Sequence, residues 1–255
     1  MRLASLGSGS SGNASLVDTG DGFVLVDCGL SARETQNRMS NLDLSLTDIC
    51  AILVTHEHSD HIAGVSAVAS KSGAPIYATR GSSRKLKPSC HIIRAGEEFS
   101  ISNSEIRIKP IAVPHDAREP VQFTFSSNDI KLGILTDLGS VTPHVVEEFS
   151  GCQTLLLESN HCREMLTNGA YPAVLKRRIL SPWGHLSNDQ TAGLLAQIIE
   201  SGSAPLNLVI GHISKENNSK NRVEDCLGSL VTGIESLVFA SQEEVLPWTE
   251  SVCTV

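Results

Sequence analysis

Ala51-Ile52-Leu53-Val54-Thr55-His56-Glu57-His58-Ser59-Asp60-His61 runs four apolar residues straight into a turn rich in histidine and aspartate. The apolar half has the aliphatic, β-branched character of a buried strand. In an extended segment His56 and His58 fall on the same side, whereas Asp60 and His61 arrive after the chain has turned. Two imidazoles are thereby offered to one cation and an Asp–His pair to a second. A lone imidazole is more often a hydrogen-bonded core or surface residue than a ligand. An HxHxDH pattern, by contrast, arises by chance in roughly one chain in two thousand of this composition, even before a strand is required in front of it.

Outward from this motif the same placement recurs. Apolar runs at 3–6, 15–18, 23–26, 51–54, 106–113, 122–125, 131–135, 154–158 and 206–210 are predicted strands. His115 follows one of them, Asp137 another and His212 a third. Polar residues at strand ends emerge at one rim of a sheet, where rigid elements can converge on a site. The chemically consistent assignment gives one metal His56, His58 and His115, gives the other Asp60, His61 and His212, and has Asp137 bridge the two. Carboxylate and imidazole without thiolate suit Zn, Mn or Fe. Two such divalent ions about 4 Å apart acidify a bridging water to hydroxide and clamp the oxygens of a displacement.

Between the strands lie helical patterns. Ile62, Val65, Val68 and Ala69 form one face of a helix expected from His61 to about Gly73 and Pro75. Ser187 and Gln190 have the spacing of a capping box, with Ala192, Leu195, Ile198 and Ile199 as the apolar stripe behind them. Strands interleaved with helices over 255 residues, with no repeat or long linker, predict an α/β layered sandwich in which residues 1–255 form a single domain.

Composition sets the outer bounds. With 40% hydrophobic and 19% charged residues the chain is neither disordered nor collagen-like, and no apolar run is long enough to cross a bilayer, so no membrane partner is expected. The start of the chain lacks the apolar core of a secretory signal, which predicts a cytoplasmic protein. Seven cysteines, an odd number without a CxxC pair, predict reduced and mostly packed thiols. A net charge of −8 argues against a broad basic face for duplex nucleic acid, but not against a metal site that neutralises phosphate locally.

Other residues can handle phosphate or equally well serve structure. Ser8-Gly9-Ser10-Ser11-Gly12-Asn13 is either an anion-binding nest, with Ser8, Ser11 and Asn13 touching substrate, or a tight turn between strands. Asn160 and His161 either touch substrate or cap the next helix. Basic residues gather at Arg80, Arg84, Lys85 and Lys87, at Lys176, Arg177 and Arg178, and at Lys215, Lys220 and Arg222; a solvated face is their commoner role. Tyr171, Trp183 and Phe23 are the candidate stacking platforms, with core packing the expectation for Trp183.

The order His56-x-His58-x-Asp60-His61, His115, Asp137, His212 resembles the metallo-β-lactamase-fold hydrolases over nearly the whole chain. Within them Ser8-Gly-Ser-Ser-Gly-Asn13, Leu157-Glu-Ser-Asn-His161, Gly184-His-Leu-Ser-Asn188 and Gly211-His-Ile-Ser-Lys-Glu-Asn-Asn218 look like the YycJ/WalJ branch, which implies a cytoplasmic, metal-dependent exonuclease. The resemblance implies a four-layer αβ/βα sandwich with metals at one edge. Cys162 stands where the branch commonly has Asp. Glu158, Gly184-His185-Leu-Ser and His212-Ile-Ser are also similar to the tRNA 3′-processing nucleases of the superfamily, which implies a Glu158–His185 pair outside the metal shell. A buried carboxylate that orients an imidazole and raises its pKa lets it protonate a leaving oxygen. The expected catalytic residues are therefore Asp60, Glu158 and His185. The expected function is a dinuclear phosphodiesterase or nuclease, foremost an exonuclease on single-stranded DNA; the alternative is an acyl or thioester hydrolase of the same fold.

Overall fold

The computed structural model describes residues 1–87, 89–101 and 105–250; Cys253, one of the seven cysteines, lies outside them. Two sheets are present. The first contains β1 (Arg2–Gly7), β2 (Ala14–Asp18), β3 (Phe23–Val26), β4 (Ile49–Val54), β5 (Ile76–Ala78), β6 (His91–Ile92) and β13 (Leu246–Glu250), in the spatial order β13-β1-β2-β3-β4-β5-β6. The second contains β7 (Arg107–Ala112), β8 (Val121–Ser127), β9 (Ile130–Leu135), β10 (Thr154–Glu158), β11 (Asn207–Gly211) and β12 (Ser236–Phe239), in the order β12-β11-β10-β9-β8-β7. Each sheet has an antiparallel part, β1-β2-β3 and β7-β8-β9, that continues as parallel pairs, β3-β4-β5 and β9-β10-β11.

The helices are α1 (Ala32–Ser40), α2 (Ser59–Ile62), α3 (Val65–Ser72), α4 (Arg80–Ser83), α5 (Pro143–Phe149), α6 (Arg163–Asn168), α7 (Ala173–Ile179), α8 (Asn188–Ser201) and α9 (Lys220–Leu227). None of the helices of the described residues is long and apolar enough to cross a membrane.

The layering follows from the two-residue period of strands that are apolar on both faces. On β4, Ala51 and Leu53 point into the core between the sheets, while Ile52 and Val54 point outward to Met39 and Leu46 and to Val65 and Val68 of α3. On β10, Leu156 points inward to meet Phe123, Phe125 and Val209, while Leu155 and Leu157 face Phe149 of α5 and Leu194, Leu195 and Ile198 of α8. The result is helix, sheet, sheet, helix: the four-layer αβ/βα sandwich. Each fully buried Leu or Phe of these layers contributes about 1.5–3 kcal/mol relative to an exposed one.

The expected strands are all present. The sequence reading missed β5, β6, β12 and β13, which are short or lie at sheet edges where half-buried residues carry a weak apolar pattern. The helix expected from His61 to Gly73 is two helices, α2 and α3, broken at Gly64. A Cβ there would sit 1.8 Å from the Leu30 carbonyl oxygen, so the backbones meet at this break. The capping box of α8 is present in full: Ser187 Oγ accepts from the Gln190 backbone and Gln190 Oε1 accepts from that of Ser187. Among the described cysteines, Cys28, Cys50, Cys152, Cys162 and Cys226 are free thiols. Burial pushes Cys28 up to about 11 and Cys152 up to about 12.

Candidate metal centre

The rim where β4, β7, β9, β10 and β11 end gathers the histidines. Thr55 carries the chain out of β4, and its N–H and hydroxyl donate to the two oxygens of Asp27 at 2.8 and 2.7 Å. Asp27 Oδ2 also lies 2.8 Å from His61 Nδ1, which leaves Nε2 of that ring facing the site. A Cβ on Gly29 would sit 1.9 Å from the Asp60 carbonyl oxygen, so the loop after β3 presses directly on the backbone that carries Asp60. His115 Nδ1 pairs with the Gly184 carbonyl at 3.1 Å, again leaving Nε2 inward. His61 and His115 are thus oriented by a carboxylate and a carbonyl on their outer nitrogens, the usual support of a metal-ligating histidine.

Donor atoms within 4.8 Å of one another form three overlapping groups among the described residues: His56, His58 and His115; His56, His61 and Asp137; and Asp137, Glu158, His185 and His212. His58 Nδ1 lies 3.0 Å from His56 Nε2 and 3.3 Å from His115 Nε2. His61 Nε2 lies 3.2 Å from Asp137 Oδ2 and 3.6 Å from Asp60 Oδ2. His212 approaches Asp137 and Glu158 more closely than it does the Asp60–His61 pair: its Nδ1 is 3.3 Å from Asp137 Oδ1 and 3.1 Å from Glu158 Oε1.

This donor set fits divalent cations. Asp137 Oδ2 and His212 Nδ1 are buried without a hydrogen bond of acceptable geometry. Such polar atoms are costly unless something else satisfies them. Three converging ring nitrogens share too few protons to satisfy one another, and a cation among them removes the conflict. His56, His58 and His115 could hold a divalent ion, and His61 and Asp137, with Asp60 and His212 close by, are further donors on the same rim.

Backbone strain marks the same rim. Asp27, Asp137 and His212 have φ of 58°, 52° and 54°, in the left-handed region, and each directly follows or closely follows a strand. Asp and His tolerate that region better than most residues, and such outliers persist where surrounding structure over-determines them.

Charge divides unevenly. Burial, with the cationic form of His61 next in importance, holds His56 well below its usual pKa, and burial lowers His115. Burial acts the same way on His61 and His212 but is outweighed. Asp137 and Asp27 raise His61 well above its usual value, and Asp137 and Glu158 push His212 up to about 9. The carboxylates respond in kind. Asp137 is held well below the usual range against its burial by His212 and His61, and Glu158 is drawn down to about 2 by His185 against its own burial.

Glu158, at the end of β10, is fully buried. Its Oε2 accepts from the Leu138 and Leu186 backbone at 2.9 and 3.2 Å, and its Oε1 lies 2.7 Å from His185 Nδ1. The other ring nitrogen of His185 remains for the adjoining cavity of 330 Å³, whose walls include His58, Asp60, Asp137, Asn160, His185, His212 and Arg178.

The phosphate-handling candidates separate. In the loop between β1 and β2 the Ser8, Gly9, Ser11, Gly12 and Asn13 amides all bond within the protein, to Ser241, Asn13, Gln242, Gly9 and Asp60, so the structure favours a tight turn over an anion nest. Ser8 Oγ accepts from the His212 N–H at 2.8 Å, and Ser10 is the loop residue that lines the cavity. Asn13 Nδ2 lies 3.4 Å from Asp60 Oδ2 and 3.1 Å from His61 Nε2, so it braces that pair. Asn160 lines the cavity and donates to the His212 carbonyl. His161 is buried with neither ring nitrogen bonded, its pKa lowered by burial to about 4. Neither residue caps α6, whose N-cap is Cys162. Phe23 packs on Trp248, and Trp183 is 58% exposed rather than in the core.

Sequence reasoning missed Asp27 and Asp116. The signal for Asp27 was present, an aspartate directly after the apolar run 23–26. Asp116 holds Arg178 through both carboxylate oxygens, with Nε–Oδ2 2.5 Å and Nη2–Oδ1 3.2 Å. Its carboxylate also lies 3.5 Å from His115 Nε2 and 3.7 Å from His58 Nε2.

Comparison with known proteins identifies the family. Residues 23–213 match the Beta-lactamase superfamily domain. Exodeoxyribonuclease YycJ of Bacillus anthracis is 35% identical over 226 residues, covering 86% of this chain and 85% of the relative. Exodeoxyribonuclease WalJ of Streptococcus pneumoniae serotype 2 is 36% identical over 225 residues, 84% of this chain and 82% of the relative. The crystal structure of the metallo-beta-lactamase fold protein YhfI from Bacillus subtilis superposes with a TM-score of 0.69 at 15% identity, covering 96% of this chain and 98% of that one. The chain belongs to the beta-lactamase superfamily.

Proposed function

We propose that this superfamily member is a metal-dependent phosphodiesterase of the exonuclease type, acting on single-stranded DNA ends in the cytoplasm. The observation that carries the reading is the Glu158–His185 pair, 2.7 Å apart, with the imidazole at the cavity and the carboxylate fully buried. The YycJ and WalJ relatives support the substrate class. The continuous core from Leu3 to Ala240 supports treating residues 1–255 as one domain.

The two ions, Zn, Mn or Fe, supply when bound an acidified water and positive charge for phosphoryl oxygens. His56, His58 and His115 would hold one, Asp60, His61 and His212 would hold the other, and Asp137 would be the carboxylate available to both. His185 is the group placed to protonate a leaving alkoxide: Glu158 accepts the Nδ1 proton and turns Nε2 to the cavity, from which the imidazolium form donates. Asn160, on the cavity wall, is the remaining substrate contact, and Asn13 keeps Asp60 and His61 aligned. The general acid argues against the thioester alternative, because a thiolate leaves without protonation.

The test sets bis-p-nitrophenyl phosphate and end-labelled single-stranded DNA beside nitrocefin and a glutathione thioester, in Mn or Zn. Phosphodiester turnover alone is the expected result. Thioester or lactam turnover without phosphodiester cleavage overturns the reading.

A further inference from the structure

Helix α7 contains no buried residue, and its side chains face two ways. Leu175, Arg178 and Ile179, with Tyr171 just before the helix, line the metal-rim cavity. Val174 is 71% exposed, and with Leu180 at 43% and Trp183 at 58% it makes three of the four exposed large apolar side chains among the described residues. Exposed apolar surface rimmed by polar residues marks an interaction site.

Trp183 stands on a stiff turn. Ser181 N–H donates to Arg178 O at 3.2 Å, Gly184 N–H to Ser181 O at 3.0 Å, and His185 N–H to Ile179 O at 3.1 Å. The turn therefore begins at a cavity wall and ends at His185. A Cβ on Gly139 would lie 2.5 Å from Trp183 Cα, so the backbone beneath the indole is packed tight. The next carbonyl, that of Gly184, is the one that orients His115. The cation nearest this turn is Arg178, the sole cationic side chain among the cavity residues apart from histidines; Asp116 grips Nε and Nη2 and leaves Nη1 for another anion. Lys176 and Arg177 precede it on the same helix.

We propose that α7 and the turn after it form a platform for single-stranded nucleic acid, with Trp183 stacking on a base beside the scissile phosphate and Arg178 holding a backbone phosphate. The proposal rests on the phosphodiesterase reading above. Arg178, in the cavity wall of a chain of net charge −8, gives local complementarity to a polyanion. An aromatic face next to a cationic groove is the general device for single strands, whose bases are free to stack, whereas a duplex buries those faces.

Trp183 and Trp248 are the two tryptophans of the chain. Trp248 packs against Phe23 and Arg2, away from the rim, so Trp248→Phe leaves one reporter and intact turnover. Metal-loaded Trp248→Phe protein, titrated with a phosphorothioate single strand, is expected to show saturable quenching that an equal-length duplex does not produce. Trp183→Ala is expected to raise KM for a single strand about tenfold. Trp183→Phe recovers most of the loss and Trp183→Leu does not. Cleavage of the strand with no quenching and unchanged KM overturns the platform while the nuclease reading stands. Saturable quenching without cleavage leaves the platform standing and sinks the nuclease reading. A dimer that Trp183→Ala turns into monomers, by analytical ultracentrifugation, assigns the surface to a second copy and overturns the proposal.

Discussion

The two halves of the metal rim are built from the same kinds of strand ends yet carry opposite electrostatics. On one side His56, His58 and His115 converge through ring nitrogens, and His56 and His115 are biased towards their neutral forms. On the other, Asp137 and Glu158 are held ionised, and they keep His212 protonated up to about 9. Neutral imidazoles are ready to accept a cation. A carboxylate–imidazole network is ready to hold and pass a proton. The contrast teaches that one continuous rim can divide its labour by where it buries its carboxylates.

That division can be broken from either side. The largest effect is expected from His58→Ala or Asp60→Ala: phosphodiester cleavage falls to background and metal content drops, while circular dichroism stays that of a folded chain. Retained turnover would sink the ligand assignment. His185→Ala is expected to keep its metal and lose about a hundredfold or more in kcat on DNA. With p-nitrophenolate as leaving group, which needs no proton, the loss is far smaller; equal losses on both substrates would mean that the ring is no acid. Asp27→Asn releases the grip on His61 and is expected to weaken metal affinity about 10–100-fold, measured by competition with a chromogenic chelator.

The smallest effect concerns pH. In the metal-free protein His212 has a raised pKa, so its stabilising contribution is complete below about 6.5 and lost as pH rises through about 9. Ion binding needs the neutral ring and releases that proton. The gain in Tm on adding Zn is therefore expected to widen between pH 6.5 and 9; a constant gain would contradict a proton on His212.

The same asymmetry explains what was legible in sequence. The ligands after β4 fall within six residues directly behind the strand, so the eleven residues 51–61 displayed both the strand and its chemistry. His115, Asp137 and His212 stand alone in sequence and became visible through their shared position after apolar runs. Trp183 was misjudged because an apolar residue on a turn carries no periodicity to show which way it faces. Asp27 and Asp116 were missed because they act on a ligand or on an arginine, and such partnerships exist only once distant strands are brought together. The Ser8–Asn13 loop could not be read, since whether its amides were free depended on Ser241, Gln242 and Asp60.

Three strand ends hold Asp27, Asp137 and His212 in left-handed backbone. Each such residue costs the fold about 1 kcal/mol or more. Evolution therefore faces a trade-off at this rim: substitutions that relax these residues would harden the chain against heat while scattering its donors, so gains in durability and losses of activity should fall at the same positions.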